Sequence, residues 1–252
     1  MRQNKEPWID TKLSQKEIDF LHKAISEENK EDASNTLAGN ISKSEYIEDK
    51  DNWFYETTLK KLTEKLFYRD LDVYHKYYIE KEEPLPEFEL TILWVNYMKQ
   101  HEFNPLHSHN GGIGYSFVVF MKIPTHWKEQ HALPISAKSN SPYASDFAFV
   151  RSEKNSETCN AINFPLSPED EGRMLFFPAW LQHMVYPFYG TEEERITISG
   201  NIELYDPNRP KMQEGSGDVY EQKENMLGMM EKNVEFIKEE LKEMKKAREK
   251  EE

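Results

Sequence analysis

Between Phe88 and Tyr205 the chain is written in short runs rich in Val, Ile, Phe and Tyr, interrupted by Gly, Pro and Asn. Runs of β-branched and aromatic residues bounded by turn formers mark antiparallel strands, because such side chains suit a pleated surface and the breakers end it. Strands are expected at 90–98, 113–123, 145–151, 173–177, 183–188 and 195–204. Such a set closes into a sandwich or jelly roll, so the chain reads as mainly β with flanking helices. The long polar connection 124–144 carries His126, Trp127, His131 and Pro134 and reads as either a lid or a loose loop.

Helical patterns flank this region. Ser14-Gln15-Lys16-Glu17 has the form of a capping box, and Ile18, Leu21 and Ile25 follow at helical spacing. A second helix is expected from residue 51 or 52 into the seventies, because Tyr55, Leu59, Leu62 and Leu66 repeat on one face, and Pro84 and Pro86 close the region. After Gly215-Ser216-Gly217, the residues Leu227, Met230, Val234, Ile237, Leu241 and Met244 alternate steps of three and four. That seam packs a charged helix either on its own domain or on a twin chain as a homodimer. Three regions result: helical 1–87, a β core 88–210 and a terminal helix 211–252.

Composition sets the limits within which this plan operates. With 252 residues, 37% of them hydrophobic and 13% aromatic, a substantial core is within reach. The formal charge of −14, from 32 basic and 46 acidic side chains, argues against nucleic acid and an anionic membrane surface as main partners, while leaving room for a local basic mouth. No apolar run has the length of a membrane span, and the polar start lacks a signal-peptide core. Cys159 is the only cysteine, so an internal disulfide is excluded. The expected setting is soluble, intracellular and cytoplasmic.

The chemistry-bearing residues fall inside the β region. On a strand, side chains two apart point to one face with Cα atoms about 6.6 to 6.8 Å apart, so His107 and His109 can converge on one ion. Two imidazoles on a strand can equally meet solvent or bond backbone carbonyls. His183 follows the apolar run Phe177-Pro178-Ala179-Trp180 and opens another strand-like run, a position from which it can look into a barrel mouth. Arg195 offers a fixed guanidinium that could pair with the carboxylate of a small acidic cosubstrate. A hairpin through 189–193 is expected to lay the Arg195 strand beside that of His183. On that last strand Arg195, Thr197, Ser199 and Asn201 share one face, and Ile196, Ile198, Ile202 and Leu204 the other. Either the polar face meets water, or it lines a polar interior while the isoleucines pack outside under helices.

Four segments together resemble a known family: Trp94-Val95-Asn96, Asn104-Pro105-Leu106-His107-Ser108-His109, Gly172-Arg173 through Gln182-His183, and Arg195-Ile196-Thr197-Ile198-Ser199-Gly200-Asn201. They are similar to the Fe(II)- and 2-oxoglutarate-dependent oxygenases, in the branch with a His-x-His motif that is common in phages and bacteria. Leu37-Ala38-Gly39-Asn40-Ile41 looks similar too. The resemblance implies a double-stranded β-helix, a cupin-like jelly roll, using Fe(II), 2-oxoglutarate and dioxygen as cofactors. It implies that His107, His109 and His183 ligate the metal, with His109 in a slot usually held by a carboxylate. It assigns the far carboxylate of 2-oxoglutarate to Arg195 with Thr197 as companion, and places Tyr115 and Asn96 by the cosubstrate pocket. The implied activity is hydroxylation of a peptide or small molecule, with Trp127, Tyr143 and Trp180 as candidate walls and 124–144 and 151–163 as candidate lids.

Other readings use the same residues. Asp146 could take the third ligand place, with His109 behind it. Three histidines also describe a cupin-type zinc hydrolase or a dioxygenase without 2-oxoglutarate, in which Arg195 is structural. A non-catalytic binding module is the remaining alternative. Cys159 lies in a polar segment with no adjacent His, so it reads as a free surface or core thiol, and Gly111-Gly112-Ile113-Gly114 reads as a bulge or tight turn.

Overall fold

The computed structural model describes residues 6–28, 30–34, 37–69, 86–109, 114–152 and 158–205. Two antiparallel sheets form the framework. The larger has the order β1-β8-β5-β10-β3-β2 and the smaller β4-β9-β6-β7. In chain order the strands are β1 (Ile9–Lys12), β2 (Lys43–Tyr46), β3 (Phe88–Met98), β4 (Asn104–His107), β5 (Gly114–Lys122), β6 (Phe147–Ser152), β7 (Cys159–Phe164), β8 (Arg173–Pro178), β9 (Gln182–Val185) and β10 (Arg195–Leu204). The helices are α1 (Gln15–Ser26), α2 (Lys60–Arg69) and α3 (Trp127–Ala132).

Strict alternation on the central strands sorts their side chains into two cores. Met174 and Phe176 of β8, with Tyr115, Val119 and Met121 of β5, join the core that also holds Leu21 of α1 and Leu66 of α2. Their chain neighbours Leu175 and Phe177, with Val118 and Phe120, turn to the opposite face and pack on Phe147, Phe149 and Phe164 of the smaller sheet. α1 and α2 therefore cover one face of the large sheet, and the small sheet covers the other. Burying each of these large apolar side chains contributes about 1.5–3 kcal/mol.

The N-terminal helix begins where its capping box dictates. Ser14 accepts from the Glu17 backbone N–H, and the Glu17 carboxylate accepts from Ser14 N at 2.6 Å. Glu17 also accepts from Thr58 in the π-helical turn Tyr55–Leu59 that leads into α2. The second helical pattern is thus present, entered through a tight turn at Lys50–Asn52 and described to Arg69. Two strands were not anticipated in this region: β1 pairs with β8, and β2 pairs with β3. Both are four residues long and sit at sheet edges, too short to show a period.

Three further expectations change. The strands of His183 and Arg195 are not a hairpin pair: β9 pairs with β4 and β6, whereas β10 pairs with β3 and β5 in the other sheet. Within 151–163, Cys159–Phe164 supply β7, antiparallel to β6. The connection 124–144 contains α3. The terminal helix, its seam and homodimer, and Gly111 to Ile113 lie outside the described residues. Among those residues no helix is long and apolar enough to cross a membrane.

Gly200 sits where β10 crosses under an aromatic ring. A Cβ there would come within 2.8 Å of the Ile92 carbonyl oxygen and of the Phe117 ring. Gly200→Ala is expected to cost about 2–3 kcal/mol through overpacking, read as a lower urea midpoint. An unchanged midpoint would show that the ring yields without cost.

Candidate metal centre

His107 and His183 face one another as register partners across β4 and β9. Their ring centroids are 4.2 Å apart, and His109, just past the end of β4, places its ring 5.4 Å from His107 and 5.3 Å from His183. One ligand atom from each lies within 4.8 Å of the others. The backbone positions the rings as well as the strands do. His107 Nδ1 lies 2.7 Å from the Pro105 carbonyl oxygen and His183 Nδ1 lies 2.9 Å from that of Leu181. A carbonyl can only accept, so Nδ1 carries the proton in each ring and Nε2 keeps its lone pair for a metal.

The imidazoles are held in the form that a metal requires. Burial pushes His183 down to about 3 and His109 down to about 4, in each case helped by His107, and burial lowers His107 too. Phe177 and Phe147 supply much of that apolar surround, with ring centroids 4.7 and 6.0 Å from His183. Three neutral imidazoles converging in a cleft fit a first-row divalent ion.

The same cleft, about 600 Å³ including its mouth, is lined from the opposite sheet by Arg195, Thr197, Ser199 and Asn96. Arg195 is 1% exposed, and its Nη2 donates to the Ser145 carbonyl oxygen at 2.9 Å and to the Ser145 hydroxyl. Its Nε and Nη1 have no protein partner. The Phe188 ring lies 5.0 Å from the guanidinium carbon. Burial lowers its pKa to about 10, which leaves it cationic at neutral pH. Unpartnered buried donors are costly, and a carboxylate is the group that would satisfy them. Thr197 is the register partner of Asn96, whose Oδ1 accepts from the Ser44 hydroxyl at 2.7 Å.

Some expected residues lie elsewhere. Tyr115 belongs to the helix-side core, stacked on Phe176 and tilted against Phe88; its neighbour Ser116 lines the cleft instead. A strand buried on both faces shows no polar alternation by which to choose between them. Asp146 is outside the histidine cluster and bonds His131 at 2.8 Å. Trp127, Tyr143 and Trp180 do not line the cleft; its walls are Ile41, Trp94, Met98, Phe120, Phe147 and Phe177. Cys159 is exposed and free. Ser145, which grips Arg195, gave no signal in the sequence beyond lying next to Asp146.

Residues 92–201 match the profile of a family described as 2OG-Fe(II) oxygenase. No curated protein matches the sequence. Among solved structures, an oxidoreductase of the 2OG-Fe(II) oxygenase family from Burkholderia pseudomallei is similar at 9% identity, over 82% of this chain and 89% of that one, with a TM-score of 0.51. A prolyl-4-hydroxylase from Pseudomonas putida shares 12% identity over 79% and 94% with a TM-score of 0.46. A viral collagen prolyl hydroxylase from Paramecium Bursaria Chlorella virus-1 shares 13% over 78% and 96% with a TM-score of 0.42. The β core of this chain is thus similar, over residues 92–201, to the 2OG-Fe(II) oxygenases.

The buried imidazoles set a pH dependence. Unfolded histidines protonate near pH 6.5, whereas His109 and His183 resist protonation down to about 4 and about 3. The unfolded state therefore binds more protons between these limits, and stability falls as pH drops below about 6.5. Asp146, raised to about 6 by burial, acts in the opposite sense but is one group against three. Metal-free protein is expected to lose on the order of 2 kcal/mol between pH 7.5 and pH 5, and less in His183→Phe. Urea titrations at the two pH values read this, and equal midpoints for the unmodified protein would contradict it.

Proposed function

We propose that this chain is a hydroxylase built on a jelly-roll core, with His107, His109 and His183 holding Fe(II) and Arg195 receiving the far carboxylate of 2-oxoglutarate. The observation that carries this reading is the meeting, in one cleft between two sheets, of three metal-competent imidazoles and a buried guanidinium with unpartnered donors. A purely structural Arg195 would have its donors satisfied within the protein. When bound, the iron couples decarboxylation of 2-oxoglutarate to succinate with reduction of dioxygen and oxidation of a substrate C–H bond.

The chain's own residues supply position and dryness. The carbonyls of Pro105 and Leu181 fix the tautomers of His107 and His183. Thr197 stands two residues along the strand from Arg195 and offers a hydroxyl on the same side, with Asn96 opposite. Phe120, Phe147 and Phe177 keep water from the inner wall, which strengthens electrostatic contacts to a bound carboxylate. The prime substrate, a peptide or small molecule, would enter by the open side of the cleft.

Iron-reconstituted protein is expected to release succinate from 2-oxoglutarate. His109→Ala is expected to lower metal affinity at least about tenfold, since one of three ligands is lost. Arg195→Met is expected to retain metal while its 2-oxoglutarate KM rises by about tenfold or more, the loss of a charge-assisted hydrogen bond. Metal content and succinate assays read these outcomes. Tight zinc with no succinate from the unmodified protein would refute the oxygenase reading.

A further inference from the structure

Three neutral imidazoles leave a divalent ion with its whole charge, and Arg195 adds another cation in the same cleft. A dianionic dicarboxylate cancels the ion but not the guanidinium. An uncompensated charge in a largely dry site is costly.

A carboxylate stands beside Arg195. Asp146 is 0% exposed; its Oδ1 meets His131 Nε2 at 2.8 Å, and its Oδ2 has no protein partner. It follows Ser145, whose carbonyl and hydroxyl oxygens both accept from Arg195 Nη2. Ser145 has a left-handed backbone, φ 76, and is itself fully buried. That conformation is uncommon for serine and persists where surrounding contacts enforce it. Two backbone hydrogen bonds enforce it here: Ser145 N donates to the Pro187 carbonyl, and the Asp146 carbonyl accepts from Tyr186 N, both at 2.9 Å. The seat is thereby stitched to the segment that follows β9. Asp146 and Arg195 each bear on the other's ionisation through their opposite charges.

We propose that Asp146, steadied by His131 and seated beside Arg195 by Ser145, is the counter-anion of this site. With the three clustered imidazoles neutral, the charges of ion, guanidinium, Asp146 and bound dicarboxylate then cancel. This rests on the reading of Arg195 as receiver of 2-oxoglutarate. Asp146 touches neither metal ligand nor cosubstrate in this arrangement; it acts through charge and through Arg195.

The proposal makes opposite demands on two ligands. Removing the negative charge weakens attraction for a cation and strengthens attraction for an anion. In the full-length chain, Asp146→Asn is expected to bind Mn(II) at least about threefold more weakly, followed by electron paramagnetic resonance, while the Mn(II)-loaded variant binds 2-oxoglutarate at least about threefold more tightly by calorimetry. A merely structural residue would weaken both; that result, or no change in either, overturns the proposal. Melting temperatures supply a second test that needs neither ligand. Asp146→Asn and Arg195→Met should each lower Tm, and the double variant should lose less than the two losses added together. Additive losses overturn the pairing. Unmodified protein that binds Mn(II) but ignores 2-oxoglutarate would remove the cosubstrate reading, and the charge pairing would still be decided by the melting cycle.

Discussion

β10 is hydrogen-bonded along both edges, to β3 on one side and β5 on the other. That double pairing fixes which way each of its side chains points, because a slip of one residue would exchange the two faces. As it stands, Arg195, Thr197 and Ser199 face the cleft, while Ile198 and Ile202 enter the core under the helices. The apolar cost of exposing those isoleucines is what holds the guanidinium in place. A site carried on a doubly paired strand is positioned more rigidly than one carried on a loop.

The histidines are held by a complementary logic on the facing sheet. β4 is an edge strand of the small sheet and β9 lies inside it, so His107 and His183 meet as a cross-strand pair. Each ring leans on a carbonyl two residues earlier in the chain. The aromatic rings around His183 hold it neutral, and the same apolar surround deprives Arg195 of water. One dry cleft thus favours the uncharged state of its imidazoles while retaining a guanidinium that cannot discharge near neutral pH.

Much of this was legible in the residues. The alternation in Arg195-Ile196-Thr197-Ile198-Ser199 declared both faces of β10, and the strand texture gave six of the strands with small boundary shifts. What stayed hidden depended on tertiary pairing. Tyr115 and Ser116 sit on a strand covered on both faces, so no polar alternation marked which of them met the cleft. The short link between β9 and β10 looked like a hairpin turn, yet its two strands pass to different sheets. β1 and β2 are too brief to carry a period, and their existence depends on edges that β8 and β3 offer. Ser145 acquires its role only when the chain brings it against a residue fifty positions away.

The cleft takes its lining from seven strands, from Ile41 and from His109, but nothing in it comes from 124–144, the long excursion that holds α3. The excursion reaches the cleft only from behind, through His131 on Asp146 and Thr125 on Ser145. Changes in length or composition there that spare Thr125 and His131 would leave the register of the three histidines untouched, so the excursion is free to diversify without rebuilding the cleft beneath.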